Sequence, residues 1–210
     1  MNSLQVGSYN LPSKPRVIGF GGSPRKDGNT DVLLDYILKA VSQHDIPAEG
    51  ILLRDHKFEP CIGCERCRKD KICTGLNDDM SLLYPKIVQA QGMVLVSPVH
   101  NYNVTAWIKA FIDRLYCFYD FTNDRPRRWK SRLSGQNRKA VIAAVCEQLS
   151  KNDMGVTLEA MRLSLEALGY EIIAELPVLG IFDKGKVRED PMILNQANSL
   201  GSDLTESLIR

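Results

Sequence analysis

Four cysteines, Cys61, Cys64, Cys67 and Cys73, fall within the run "CIGCERCRKDKIC" at intervals of two, two and five intervening residues. Three thiolates at the short spacing let one loop wrap three corners of a 4Fe-4S cubane with its amides turned toward the sulfides, and Cys73 would close the fourth corner. Structural zinc, by contrast, commonly uses two separated cysteine pairs. A disulfide pair with spare thiols, or four unligated thiols, are the remaining readings of the same spacing, and all stay open at this point. Arg66, Arg68, Lys69 and Lys71 surround the thiols. Cations there favour thiolate over thiol and ease reduction of an anionic cluster, although exposed ones are screened by salt.

A second group of residues suits a phosphate. "GFGGSPRKDGNT" follows an apolar run and opens an amphipathic stretch, so helix-terminal amides would converge there with Ser23, Asn29 and Thr30 as side-chain donors and Arg25 as a cation. The Gly-Lys-Ser/Thr ending of a Walker A loop and the dinucleotide pattern G-x-G-x-x-G are both absent, so a small-molecule monophosphate is the preferred ligand. The bland alternative is a strand-to-helix turn in which Ser23 and Asn29 only cap the helix. A third loop, "SPVHNYNVTAW", sets Pro98, Val99, His100, Asn101, Tyr102 and Asn103 where a flat heterocycle could be stacked and hydrogen-bonded. His100 by itself reads as a solvated loop histidine.

The elements that must position these loops come from the apolar pattern. "RVIGFGG", "EGILLRD", "GMVLVSP", "KAVIAAVC" and "YEIIAELPVLG" read as five short strands, alternating with helices at "TDVLLDYILKAV", "DDMSLLYPKIVQAQ", "VTAWIKAFIDRLYCFY", "GVTLEAMRLSLEALG" and the tail from Glu189. Such alternation predicts an α/β fold: a flavodoxin-like, doubly wound, five-stranded parallel sheet of order 2-1-3-4-5 with a cysteine-rich insertion, residues 59–79, after the second strand. Ligands of that fold sit outside the carboxyl ends of the strands, where the first and third loops would lie. Residues 1–15, polar with two prolines, read as an arm before a single domain of residues 16–210. Cys146 reads as a small buried hydrophobe and Asp113–Arg114 as a structural charged pair.

The 210 residues carry 27 Lys and Arg against 25 Asp and Glu, a net charge of +2 that favours neither nucleic acid nor an anionic membrane. No apolar run spans a bilayer and the first residues lack the apolar core of a secretory signal, which predicts a cytoplasmic protein with reduced thiols. "RPRRWKSRLSGQNRK", residues 125–139, holds seven positive charges. It precedes the fourth strand, so it enters opposite the ligand edge unless the connection folds back, and it is given no role.

Taken together, "GGSPRKDGNT", "SPVHNYNVTAWIKAFIDR" and the intervening "CIGCERC…CTGLNDDM" resemble the NADPH-dependent FMN reductase family, and most its iron-sulfur flavoprotein branch, over residues 16 to about 115. The resemblance implies FMN held through its phosphate by Ser23, Arg25, Asn29 and Thr30, with its ring against residues 98–103. It also implies a 4Fe-4S cluster on Cys61, Cys64, Cys67 and Cys73, NAD(P)H as a possible cosubstrate, a small-molecule or protein redox partner, and a homo-oligomer, dimer or tetramer. His100 departs from the aromatic residue usual in the family, and the loop after the fourth strand lacks the usual glycine-rich stretch. A clusterless NAD(P)H-dependent FMN or quinone reductase is the alternative within this class. A noncatalytic four-cysteine metal-binding regulatory module is the alternative outside it. No side chain is singled out as an acid or base, because the flavin itself carries out the hydride step.

Overall fold

The computed structural model describes residues 11–210, so residues 1–10 of the expected arm lie outside the described residues. Five strands form one parallel sheet: β1 (Val17–Gly21), β2 (Ala48–Leu52), β3 (Gly92–Pro98), β6 (Arg138–Val145) and β7 (Tyr170–Val178), in spatial order β2-β1-β3-β6-β7. Counting only sheet strands, this is the expected 2-1-3-4-5. Both faces are covered because successive residues of a buried strand point to opposite sides. Met93 and Leu95 of β3 and Ala140 and Ile142 of β6 face one core, whereas Val94, Val96, Val141 and Ala143 face the other.

The first core receives α3 (Met80–Gln89), α4 (Ala106–Arg114) and α5 (Thr157–Leu168); the second receives α1 (Asn29–Ser42) and α6 (Pro191–Ile209). Asp190 caps α6 by accepting hydrogen bonds from the Met192 and Ile193 amides, which fixes where the tail becomes helical. Inside α3, Pro85 leaves the carbonyl of exposed Ser81 without its helical partner, a loss that water can make good.

Two features were not expected. The stretch "VTAWIKAFIDRLYCFY" does not continue as one helix. It tightens into a 3₁₀ turn at Leu115–Phe118 and leaves as β4 (Tyr119–Phe121), which pairs antiparallel with β5 (Trp129–Ser131). Aromatic packing explains the switch: Tyr116 stacks on Phe121 at 4.8 Å, and Trp129 meets Tyr119 edge-on at 5.2 Å. The connection therefore folds back, and the basic segment lies on the cysteine insertion: Arg127 reaches Glu65 and Arg132 donates to the Lys71 carbonyl. Asp113 and Arg114, expected as a pair, take separate partners. Asp113 pairs with Lys109 one turn earlier, while Arg114 turns inward to Asp78.

Arg138 fixes the amino-terminal side of the sheet. It is 1% exposed and faces no carboxylate among the described residues; its guanidinium donates to the carbonyls of Ile87, Val88 and Ala90 at the end of α3, and to the Tyr170 hydroxyl. Those carbonyls have no helical partner, and a cation at a helix C-terminus also complements the helix dipole. Arg138→Leu should therefore lower unfolding stability by about 3 kcal/mol, since several buried acceptors lose partners worth roughly 1 to 3 kcal/mol each. Urea unfolding measures this, and a loss below about 1 kcal/mol would mean the carbonyls are satisfied without the arginine.

Candidate redox-cofactor sites

The loop after β1 is held in shape from below. Arg54, just past β2, makes a two-pronged contact with Asp31 at 2.9 and 2.7 Å and donates to the Ser23 carbonyl at 3.1 Å, while Asp31 accepts the Asp27 amide at 2.8 Å. These hydrogen bonds to Asp31, working against burial, raise Arg54 further above its already high range. Gly28 precedes α1 with no side-chain cap, so neither Ser23 nor Asn29 has the capping role of the bland alternative. The first-turn amides of α1 thus stay uncapped by side chains beside Ser23, whose hydroxyl accepts the Arg25 amide at 3.1 Å.

The third loop is brought against the first by α4. Thr105, its N-cap, donates to the Gly22 carbonyl at 2.7 Å and accepts the Ile108 amide. A Cβ on Gly22 would lie 2.2 Å from Ile108, so this approach requires glycine. Between the two loops lies a cavity of about 150 Å³. Ser23, Arg25, Asn29 and Thr30 line one side and Pro98, Val99 and His100 the other. Ligand pockets usually begin near roughly 300 Å³. This one would enclose one end of a ligand and leave the remainder on the surface.

Asn101, Tyr102 and Asn103 do not line this cavity. The His100 and Asn103 backbones bond to each other, Asn101 and Tyr102 take left-handed conformations (φ 49° and 63°), and the turn swings outward. The Tyr102 carbonyl accepts the Val156 amide, the Asn103 side chain accepts the Val104 amide, and the Tyr102 ring is 61% exposed on the rim. Sequence reasoning missed the fourth wall. Glu147 after β6, and Ile181, Phe182 and Lys184 after β7, complete the lining. Phe182 lies under the Arg25 guanidinium at 4.5 Å and accepts its hydrogen bond through the carbonyl, and Asn29 bridges the Asp183 carbonyl and the Val187 amide. The signal available in sequence was the glycine-flanked "GIFDKG" after the last strand.

The second site stands at the other end of α4. All four cysteine thiols line one cavity of about 420 Å³, together with Gly75, Asp113, Arg114 and Tyr116. Cys61 and Cys64 are exposed, whereas Cys67 and Cys73 are half-buried and pack on the core under α4. The backbone turns through left-handed residues at Gly63, Glu65 and Lys71, with α2 (Cys67–Asp70) as a single turn between the last two. Burial pushes the Cys67 thiol up, and the neighbouring charges of Cys73, Cys61 and Cys64 push it further. A Cβ on Gly75 would fall 2.4 Å from the Cys64 sulfur, so the wall leaves that thiol no room to spare. Among the described residues no three His, Cys, Asp or Glu groups gather tightly enough for a single metal ion.

Residues from distant parts of the chain hold this loop. Arg114, 2% exposed at its side chain, binds both oxygens of Asp78 at 2.6 and 2.9 Å and the Glu59 carbonyl at 2.8 Å. Burial would raise the Asp78 carboxyl, but Arg114 and the Glu59 and Met80 amides outweigh it and hold it below the usual range. On the hairpin side Lys71 pairs with Asp120 at 2.5 Å, and Arg68 lies over Phe121 at 5.6 Å. Cys117, buried in the 3₁₀ turn after α4, lies directly behind the loop; burial, with the Cys67 and Cys73 charges adding to it, pushes its thiol up to about 12. Cys146 is buried, as expected.

Known proteins extend this picture. The model of the NADPH-dependent FMN reductase family matches residues 15–178. An iron-sulfur flavoprotein of Methanocaldococcus jannaschii is 39% identical over 137 residues, 65% of this chain and 64% of that one. Another, of Archaeoglobus fulgidus, is 30% identical over 205 residues, 91% of this chain and 94% of that one. The first three curated relatives are spanned over 64%, 55% and 45% of their length, less than two thirds in each case. Among solved structures, RosB with bound 8-demethyl-8-formylriboflavin-5'-phosphate superposes over 93% of this chain and 79% of its own with a TM-score of 0.71 at 15% identity, a likeness of fold. With the family's pattern running from the strand before the first loop through β7, the chain belongs to the NADPH-dependent FMN reductase family.

Proposed function

We propose that the protein is an FMN-dependent oxidoreductase of the iron-sulfur flavoprotein kind, passing electrons between NAD(P)H or another donor and a one-electron acceptor. The observation that carries the reading is one helix joining two sites: α4 starts at the phosphate-suited loops and ends at the cavity lined by four thiols. FMN exchanges electrons in pairs and a 4Fe-4S cluster singly, so a chain holding both joins two-electron to one-electron chemistry.

In this reading the α1 amides, Ser23 and Thr30 take the phosphate, and Arg25 neutralises it while staying anchored on Phe182. Asn29 acts through the loop after β7, since its side chain is already committed there. Pro98, Val99 and His100 face the flavin, and Asn101, Tyr102 and Asn103 shape the rim. Cys61, Cys64, Cys67 and Cys73 hold the cluster. The donor set suits a cluster better than zinc, because three cysteines at even two-residue spacing differ from the two separated pairs that structural zinc commonly uses. The helix α4 between the two sites is itself about 13 Å long by helix rise, and a homo-oligomer in which a neighbouring chain shortens the path is part of the proposal.

Arg25→Ala should weaken FMN binding by about 1.5 to 3 kcal/mol, roughly ten- to a hundredfold, and riboflavin binding far less, because the lost contact is charge-assisted and aimed at the phosphate. Fluorescence titration with both ligands measures it; equal losses would remove the phosphate assignment. At the second site, Cys73→Ala should abolish iron retention after anaerobic reconstitution with iron and sulfide while FMN remains bound. Gly75→Ala, which keeps all four cysteines but displaces the Cys64 sulfur, should lower iron loading without a change in melting temperature. Iron and flavin assays read both variants, and loading equal to wild type in both would leave a clusterless flavin reductase as the better account.

A further inference from the structure

We propose that Arg114 is a positioning residue for the cluster, donating its Nε–H to the thiolate of Cys73 or to an adjacent sulfide. The proposal rests on the reading that the four thiols hold a cluster. It starts from a hydrogen-bond count. Two of the three nitrogens of the guanidinium are engaged, Nη1 with Asp78 and the Glu59 carbonyl and Nη2 with Asp78. The third, Nε, is fully buried and has no partner among the described residues. A buried charged donor without an acceptor is costly, and native structures rarely keep one without a reason.

The position of the side chain supplies the reason. Arg114 is 3% exposed overall, and of the chain's arginines it alone lines the cavity shared by the four thiols. Because the Asp78 pair and the Glu59 carbonyl fix the guanidinium plane, Nε cannot turn to another acceptor, and the group that comes to it is sulfur.

The pairing also settles what kind of influence to expect. Asp78 neutralises much of the positive charge at long range, so the effect is a local hydrogen bond rather than a broad field. Hydrogen bonds to cluster sulfurs stabilise the more negative, reduced state and raise the reduction potential. Being buried, this one should be insensitive to salt, unlike the influence of exposed Arg66 and Lys69.

Removing the arginine alone would strand Asp78, so the test uses Arg114→Lys, which keeps the charge, and the neutral double variant Asp78→Asn/Arg114→Gln, which keeps side-chain hydrogen bonding without the Nε donor. Each is reconstituted anaerobically with iron and sulfide. The readouts are the cluster's midpoint potential at low and high salt, the rate of iron loss to a chelator, and the melting temperature of the metal-free protein. The expected result is a reduction equilibrium about tenfold less favourable in both variants at both salt concentrations, 59 mV for a one-electron couple, with iron lost about tenfold faster. A cluster absent from both variants would overturn the proposal, because loss of the clamp on Asp78 and the Glu59 carbonyl already accounts for that result. Potentials equal to wild type, a shift that disappears in high salt, or metal-free variants that no longer fold would overturn it and leave Arg114 as a structural clamp. If wild type itself takes up no cluster, the fault lies with the functional reading and not with the assignment of Arg114.

Discussion

The ion pair between Arg114 and Asp78 is the constraint on which the second half of this molecule depends. The cysteine insertion has no extended secondary structure of its own beyond the single turn at Cys67–Asp70, and two of its thiols are exposed. Without an anchor, such a segment would hold four sulfurs in no particular arrangement. Asp78 sits at the carboxyl end of the insertion and also accepts the Glu59 amide near its start, so one carboxylate closes the loop at both ends. Arg114 then ties that closure to the C-terminal end of α4. Breaking a buried pair of this kind by removing one partner typically costs about 3 to 5 kcal/mol, because the other charge is left unpaired.

Helix α4 is in turn fixed to the sheet. Its amino end is fixed by Thr105 on the Gly22 carbonyl and its body by Ile108 and Phe111 in the core, with the Phe20 ring of β1 tilted against Phe111 at 4.4 Å. The helix is therefore a rigid spacer whose two ends are set by two different loops. The topology supplies the first of these positions: the loops after β1 and β3 meet at the carboxyl edge because β1 and β3 are neighbours in the sheet. The second position is not a property of the fold. It is added by the insertion, the hairpin of β4 and β5 on which the insertion's Arg68 lies, and two arginines, Arg114 and Arg132, that reach the insertion from other segments.

What could be read from sequence follows the same division. Strands β1, β3 and β6 were legible because each is a continuous apolar run, β2 and β7 by their place in the strand-helix alternation, and the order by its fit to a flavodoxin-like sheet. The phosphate-suited loop and the four cysteines were legible because their signals are local. Three things were not. The β4–β5 hairpin has three-residue strands whose stability comes from aromatic contacts across the fold, and no periodicity marks it. The partner of Arg114 lies 36 residues away, so proximity in sequence suggested Asp113 instead. The wall formed by Phe182 and Lys184 comes from the loop after the last strand, 157 residues from Arg25, with which Phe182 packs. In each case the deciding contact is non-local, and residue pattern cannot supply it.

A chain that carries both an electron-pair centre and a single-electron centre takes up an odd number of electrons, and these can be counted. Protein reconstituted anaerobically with FMN, iron and sulfide is titrated with a calibrated reductant while absorption and electron paramagnetic resonance are followed. Two electrons for the flavin and one for the cluster predict an uptake of about three per chain, with a paramagnetic reduced iron-sulfur signal growing in as the flavin bands bleach. Uptake that stops at about two per chain, with flavin bleaching and no iron-sulfur signal, would contradict the presence of both centres in one chain.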